Sequence, residues 1–226
     1  MKKTGFIIRP MELSDILHAM KLSGAEGWNQ TEKDWKLFIE SPQNVCVLAE
    51  RNKEIIGTTT AINYSDRIAW IGMVLVANEY RGQGVSKLLL ANILKQLESF
   101  PSIKLDATPE GQRVYKKFDF KDEYLITRMT IASVKNFSLD DDIAPEPIQL
   151  KHIEEVTALD ELVFGANRKQ LIGSMIKEYS HKAWLLKRND SIAGFALGRK
   201  GNRYHHVGPV FGSNITDVKI LIKRAL

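Results

Sequence analysis

Met73-Val74-Leu75-Val76-Ala77-Asn78-Glu79-Tyr80-Arg81-Gly82-Gln83-Gly84-Val85-Ser86-Lys87-Leu88-Leu89 runs from an apolar segment through a glycine-rich turn into an amphipathic one. Its head closes the run Ile68–Val76, which is nearly continuous and apolar and so reads as a central strand. Its tail opens a helix over about 85–99, with Leu88, Leu89, Ile93 and Leu97 on one face and Pro101 beyond its end. A helix start leaves four backbone N–H groups unpaired and carries about half a unit of positive charge. Glycines let a ligand approach that backbone, and successive N–H groups form a nest for an anion. Arg81 adds a charge that cannot be titrated away. The predicted ligand is therefore a pyrophosphate. The turn is not the G-x-x-x-x-G-K-[ST] phosphate loop, since no Lys-Ser or Lys-Thr pair closes it. Nor is it G-x-G-x-x-G, because Lys87 stands where the third glycine would be. A dinucleotide fold would also place its loop after the first strand, whereas this one follows the fourth.

Working outward, Phe6–Arg9 reads as a short strand, and Leu13, Ile16, Leu17 and Met20 recur at helical spacing over Glu12–Ser23. Thr31 with Asp34 forms a capping-box-like start for a second helix that ends before Pro42. Strands are expected over Val45–Glu50, Ile55–Tyr64 and Ile68–Val76, separated by Asn52-Lys53 and Ser65-Asp66-Arg67 turns. After the glycine loop and its helix come a strand over Ile103–Ala107, a short helix over Gln112–Phe118 and a last strand over Tyr124–Ile131. The order βααβββαβαβ specifies a mixed α/β (α+β) fold, with a mixed central sheet flanked by helices, over residues 1–131.

Residues 132–147 contain Asp140-Asp141-Asp142 and two prolines, and read as a linker. From 148 to 226 the expected helices are Ile153–Phe164, Arg168–Tyr179 and Ile215–Leu226, with strands over Ala183–Arg188, Ile192–Lys200 and Tyr204–Val210. The order ααβββα repeats the first half in element order rather than in residue identity.

Composition narrows the function classes. Hydrophobic residues make up 44% and charged residues 26%, ordinary for a soluble globular protein. No apolar run reaches the roughly 18–20 residues of a membrane span, and no secretory leader precedes Arg9-Pro10, so a cytoplasmic, membrane-free protein is expected. The net charge of +5 is spread over both halves without a basic block, which argues against nucleic acid as a partner. The single cysteine, Cys46, sits in an apolar stretch and reads as packing. His205-His206 lack companion ligands at metal spacing, so no metal is expected.

Arg81-x-x-Gly84-x-Ser86 resembles the (Q/R)-x-x-G-x-(G/A) signature of the GNAT acyl-CoA N-acyltransferase superfamily, with serine in the last place. The element order of 1–131 matches that fold. The resemblance implies acetyl-CoA as co-substrate. Its pyrophosphate would lie on Arg81, Gly82, Gln83, Gly84, Val85 and Ser86, and its pantetheine along a splayed strand, Met73, Val74, Leu75 and Val76. Val114-Tyr115-Lys116-Lys117-Phe118-Asp119-Phe120 resembles the family's L-Y-E-K-L-G-F, with Asp119 in the glycine place, which implies Tyr115 as the general acid for the departing thiolate. The general base is left open: Asp106, Glu79 and an ordered water are candidates, with Asp106 carried as catalytic.

Leu105-Asp106-Ala107-Thr108-Pro109 fits a bacterial subgroup in which a GNAT domain precedes a degenerate acetyltransferase-like domain, and Thr108 joins the cofactor-binding set. Asp160-x-x-Val163-Phe164-Gly165-Ala166-Asn167-Arg168, Ile192–Arg199 and His206–Val210 fit the second domain of that subgroup. Phe211-Gly212-Ser213-Asn214 carries no Arg-x-x-Gly-x-Gly, so no second CoA is expected, and 148–226 reads as degenerate and incomplete. A homodimer is one way to complete the sheet. The expected activity is acetyl transfer to a primary amine on a small molecule or peptide; the alternative is a CoA-binding regulatory module without turnover.

Overall fold

Alternation of side chains along the strands builds both sheets of the computed structural model, which describes residues 5–133 and 143–226. The chain divides into two compact units, Met1–Leu125 and Ile126–Leu226. In the first, β1 (Ile7–Pro10), β2 (Val45–Arg51), β3 (Glu54–Tyr64) and β4 (Ile68–Val76) pair antiparallel in that order, and β5 (Ser102–Leu105) adds to β4 in parallel. Helices α1 (Ile16–Ala25) and α2 (Glu32–Glu40) supply Ile16, Ala19 and Trp35, which pack with Leu48, Ile55 and Leu75. The neighbouring residues Val47, Ala49 and Ile56 point to the opposite face, against Val85 and Leu89 of α3 (Val85–Gln96). Period-two patterning thus buries both faces of the sheet, the geometry in which apolar area removed from water contributes most. The expected cap forms at α2, where Thr31 Oγ1 accepts from the Asp34 N–H at 3.3 Å and an Asp34 carboxylate oxygen accepts from the Thr31 N–H at 2.7 Å.

One expectation fails here. No strand forms over Tyr124–Ile131, although its side chains are strand types. A strand needs a hydrogen-bonded neighbour, and the four-residue β5 has no partner on its outer edge among the described residues. Tyr124, Leu125 and Met129 are consequently exposed. At the other end of the inferred linker, Glu146–Pro147 is a two-residue strand, β6, and the acidic run falls outside the described residues.

The second unit orders β6, β7 (Trp184–Arg188), β8 (Ser191–Lys200) and β9 (His205–Gly212) in one antiparallel sheet. Helices α5 (Ile153–Phe164) and α6 (Lys169–Glu178) cover one face through Val156, Ile172 and Ile176 against Leu185 and Phe195. Helix α7 (Ile215–Ala225) covers the other, with Ile220 and Leu221 on Leu186 and Ala196.

The repeat is more than element order, which corrects the sequence reading. Pro10 pairs with Val47 as Pro147 pairs with Trp184, and both sheets slip register one residue past that strand's second leucine or alanine, at Ala49/Glu50 and Leu186/Lys187. The β2–β3 and β7–β8 turns both place two residues in the left-handed region, Asn52-Lys53 and Asn189-Asp190. At a constant spacing in the numbering, Pro10, Leu48, Arg51, Asn52, Ile55 and Gly57 recur as Pro147, Leu185, Arg188, Asn189, Ile192 and Gly194. These identities are too scattered to be seen without the register that aligns them.

Candidate functional site

The site begins where β4 loses its parallel neighbour. Strand β5 pairs only with Ile68–Ile71, so Gly72–Val76 have an open edge on that side among the described residues. The opening coincides with a β-bulge: Thr58 faces Leu75 but Thr60 faces Gly72, so β4 carries one extra residue. Met73 absorbs it at φ 51, a left-handed conformation that costs a side-chain-bearing residue about 1–3 kcal/mol. Two buried threonines on β3 hold that conformation. Thr58 Oγ1 donates to the Met73 carbonyl at 2.9 Å, and Thr59 Oγ1 reaches the Gly72 carbonyl at 3.5 Å. Sequence reasoning missed both; the signal was the run Thr58-Thr59-Thr60 in an otherwise apolar strand, where a buried hydroxyl must find an acceptor. Past the bulge, the outer edge of Met73–Val76 faces no strand among the described residues and is open to a ligand lying alongside, with the Met73 and Val76 carbonyls already taken by Thr58 and Arg81.

The strand leads directly to the turn. The Ala77 N–H donates to the Ile56 carbonyl at 2.9 Å, and a single helical turn over Asn78–Tyr80 follows. Gly82 and Gly84 then take φ 74 and φ 84, values that suit glycine, and a Cβ at either would meet nothing within 4 Å. The glycines are therefore required by backbone conformation and leave open space above them. Among the described residues, the N–H groups of Gly82 through Lys87 have no hydrogen-bond acceptor; the first bond of α3 is Leu88 N–H to the Gly84 carbonyl at 3.1 Å. Val85 is buried against the sheet, which fixes where the helix begins. Gly57 makes the close approach of helix and sheet possible, since a Cβ there would lie 2.8 Å from the Leu75 carbonyl and 3.2 Å from both Leu89 and Val85.

The Arg81 side chain has partners within the first unit. Its guanidinium pairs with Glu26 at the end of α1, and its Nε donates to the Val76 carbonyl at 3.2 Å. Gln83 Nε2 likewise donates to the Glu79 carbonyl at 2.9 Å, which holds the turn from within. Glu79 itself is exposed.

Tyr115 ends α4 (Pro109–Tyr115) and is half-buried, its ring edge-on to Phe120 at 6.1 Å. Gly111 leaves room for that ring, because a Cβ there would sit 3.0 Å from it. The phenol has no hydrogen-bond partner among the described residues, and burial pushes its pKa above the ordinary value of 10.0. It stays protonated, as a proton donor must. Asp119, in the place where the signature has glycine, takes φ 63, which aspartate tolerates better than most residues. Thr108 caps α4, its Oγ1 accepting from the Gly111 N–H at 3.1 Å. Asp106 is exposed and lies one residue past the end of β5 rather than on it.

Other residues singled out in the sequence have readings of their own. Cys46 donates to the Phe38 carbonyl at 3.4 Å, and burial pushes its thiol up to about 12, too high for a nucleophile. His205 and His206 are exposed on β9, and no group of three His, Cys, Asp or Glu among the described residues could hold a metal. Among those residues no helix is long and apolar enough to cross a membrane.

Two family models, each described as an acetyltransferase (GNAT) domain, match residues 16–126 and 156–226. The chain belongs to the GNAT acetyltransferase superfamily. Both units are therefore GNAT domains, and the superfamily generally uses acyl-CoA. The holothin acyltransferase of Pseudoalteromonas sp. (strain SANK 73390) is 25% identical over 206 residues, covering 91% of this chain and 69% of its own. The uncharacterized N-acetyltransferase YitH of Bacillus subtilis (strain 168) is 22% identical over 211 residues, covering 91% and 72%. A Pyrococcus horikoshii crystal structure assigned as an acetyltransferase shares the GNAT fold over 100% of this chain and 77% of its own, with a TM-score of 0.74 and 22% identity.

Proposed function

We propose that the first unit transfers an acetyl group from acetyl-CoA to a primary amine. The observations that carry this reading are the strand edge left open past the bulge at Met73 and, beyond the intervening turn, the unpaired N–H groups that begin at Gly82. The two together suit an elongated thioester: amide groups of a pantetheine alongside Met73–Val76, and a diphosphate on the N–H groups of 82–86. On this reading the residues take the following roles. The amine nitrogen attacks the thioester carbonyl, the C–N bond forms, the C–S bond breaks, and the thiolate takes the proton of the Tyr115 phenol. The amine's proton passes to a base, for which Asp106, Glu79 and a bound water are the candidates, and returns to Tyr115.

A free-thiol release assay with acetyl-CoA and a panel of amines, holothin among them, tests the activity. Amine-dependent thiol release is expected; its absence with every amine, in a protein that binds acetyl-CoA, would leave the regulatory-module alternative. Tyr115→Phe should lower turnover ~10²–10⁴-fold with acetyl-CoA affinity unchanged. Because burial raises the Tyr115 pKa, the phenol is present at neutral pH and is lost only as pH climbs through the raised value. The alkaline fall in turnover should accordingly have its midpoint above that of an ordinary phenol and vanish in the phenylalanine variant.

A further inference from the structure

Resting on that reading, we infer that Lys87 supplies the positive charge that faces the cofactor's phosphates, and that Arg81 is a positioning residue which braces the loop through Glu26 and the Val76 carbonyl. The motif arginine is already spent: it holds Glu26 on one side and the Val76 carbonyl on the other. These two contacts tie the end of α1 and the end of β4 to the first residue of the turn, so they fix the height at which Gly82–Gly84 leave the sheet.

Lys87, by contrast, is exposed and has no ion-pair or hydrogen-bond partner among the described residues. It sits in the first turn of α3, where no acidic residue balances it. A cation at the positive end of a helix is unfavourable by itself, and the usual choice there is aspartate or glutamate. The arrangement becomes favourable when a dianion occupies the turn. Side chains of a helix also lean toward its N-terminus, which carries the flexible Lys87 stem back over the unpaired N–H groups of 82–86. A lysine serves as a mobile point charge for phosphate, whereas an arginine fixed in two directions serves as a strut.

The two roles give opposite signs in one experiment. Acetyl-CoA affinity is measured by titration calorimetry at low and high salt for the full chain, Lys87→Met, Arg81→Gln and Glu26→Gln, with phosphate-free S-acetylpantetheine as a second probe. Lys87→Met should weaken acetyl-CoA binding about tenfold at low salt, with the gap closing at high salt as screening removes the charge term. It should leave S-acetylpantetheine binding and the unfolding midpoint unchanged. Glu26→Gln should weaken both probes, because a loosened loop loses its alignment. If Arg81 were the phosphate ligand, Glu26→Gln would free it and tighten acetyl-CoA binding. Tighter binding in that variant, or an unchanged acetyl-CoA affinity in Lys87→Met, overturns the inference while leaving the cofactor reading intact. Failure of the unaltered chain to bind acetyl-CoA would instead remove the reading on which it rests.

Discussion

The two units start from one pattern and part at a single connection. Up to the end of the third long strand they correspond closely: Gly57 and Gly194 both admit a helix against the sheet, and Leu89 and Leu221 occupy the same place over them. Even the bulge recurs, with Gly72-Met73 of β4 answered by Gly208-Pro209 of β9. Then the first unit spends residues 77–84 on a turn before α3, and the second passes from β9 to α7 through Ser213-Asn214 alone. No counterpart of Arg81, Gly82 or Gly84 exists there. The start of α7 is closed by its own side chains instead. Asn214 Oδ1 accepts from the Asp217 N–H at 3.0 Å, and the fully buried Asp217 carboxylate takes both Nε and Nη2 of Arg188, at 2.9 and 2.6 Å. The equivalent arginine of the first unit, Arg51, lies over the Tyr80 ring at 5.8 Å in the glycine turn. The lesson is electrostatic: one helix start has a lysine and unpaired N–H groups, and the other holds its own carboxylate, which would repel a phosphate. The length and charge of one connection separate the two helix starts within an otherwise shared framework.

The largest effect that could break this equivalence lies at the paired glycines. Gly194→Ala would put a Cβ 2.5 Å from the Phe211 carbonyl and 2.9 Å from Leu221, and Gly57→Ala one 2.8 Å from the Leu75 carbonyl. Each should lower stability by about 1–3 kcal/mol in urea unfolding, with Gly194→Ala the worse. A neutral Gly194→Ala would show that the second helix does not rest on its sheet as the first does. Next, Gly84→Val should raise the acetyl-CoA dissociation constant at least tenfold, ~1.4 kcal/mol; calorimetry giving equal affinity would remove the diphosphate from this turn. The smallest effect belongs to the closed helix start. Asn214→Ala should cost the second unit about 1 kcal/mol of stability through the lost cap and leave acetyl-CoA affinity untouched. Weakened cofactor binding in that variant would contradict the separation of roles between the two helix starts.

Much of this was legible in the residues. The strands β2, β3 and β4, the helix α3 and the cap at Thr31 follow from periodicity and local side-chain chemistry, which act over a few neighbouring positions. The turn at Gly82–Gly84 was legible because glycine takes the left-handed region without the steric cost a side chain brings. Tyr124–Ile131 was misread for the converse reason: strand-type side chains state a preference, but a ladder requires an edge to join. The partners of Arg81 were hidden because Glu26 is remote in sequence, and an arginine in a motif looks the same whether it faces a ligand or a carboxylate.

The sequence by itself determined the alternation that buries both sheet faces, the place of the glycine turn and its family signature, since each depends on spacing along the chain. The tertiary structure decided where β4 parts from β5, that Thr58 and Thr59 hold the bulge, and that Arg81 is committed while Lys87 is not. Those outcomes depend on which strand and helix ends come together in space, and linear order alone does not specify that.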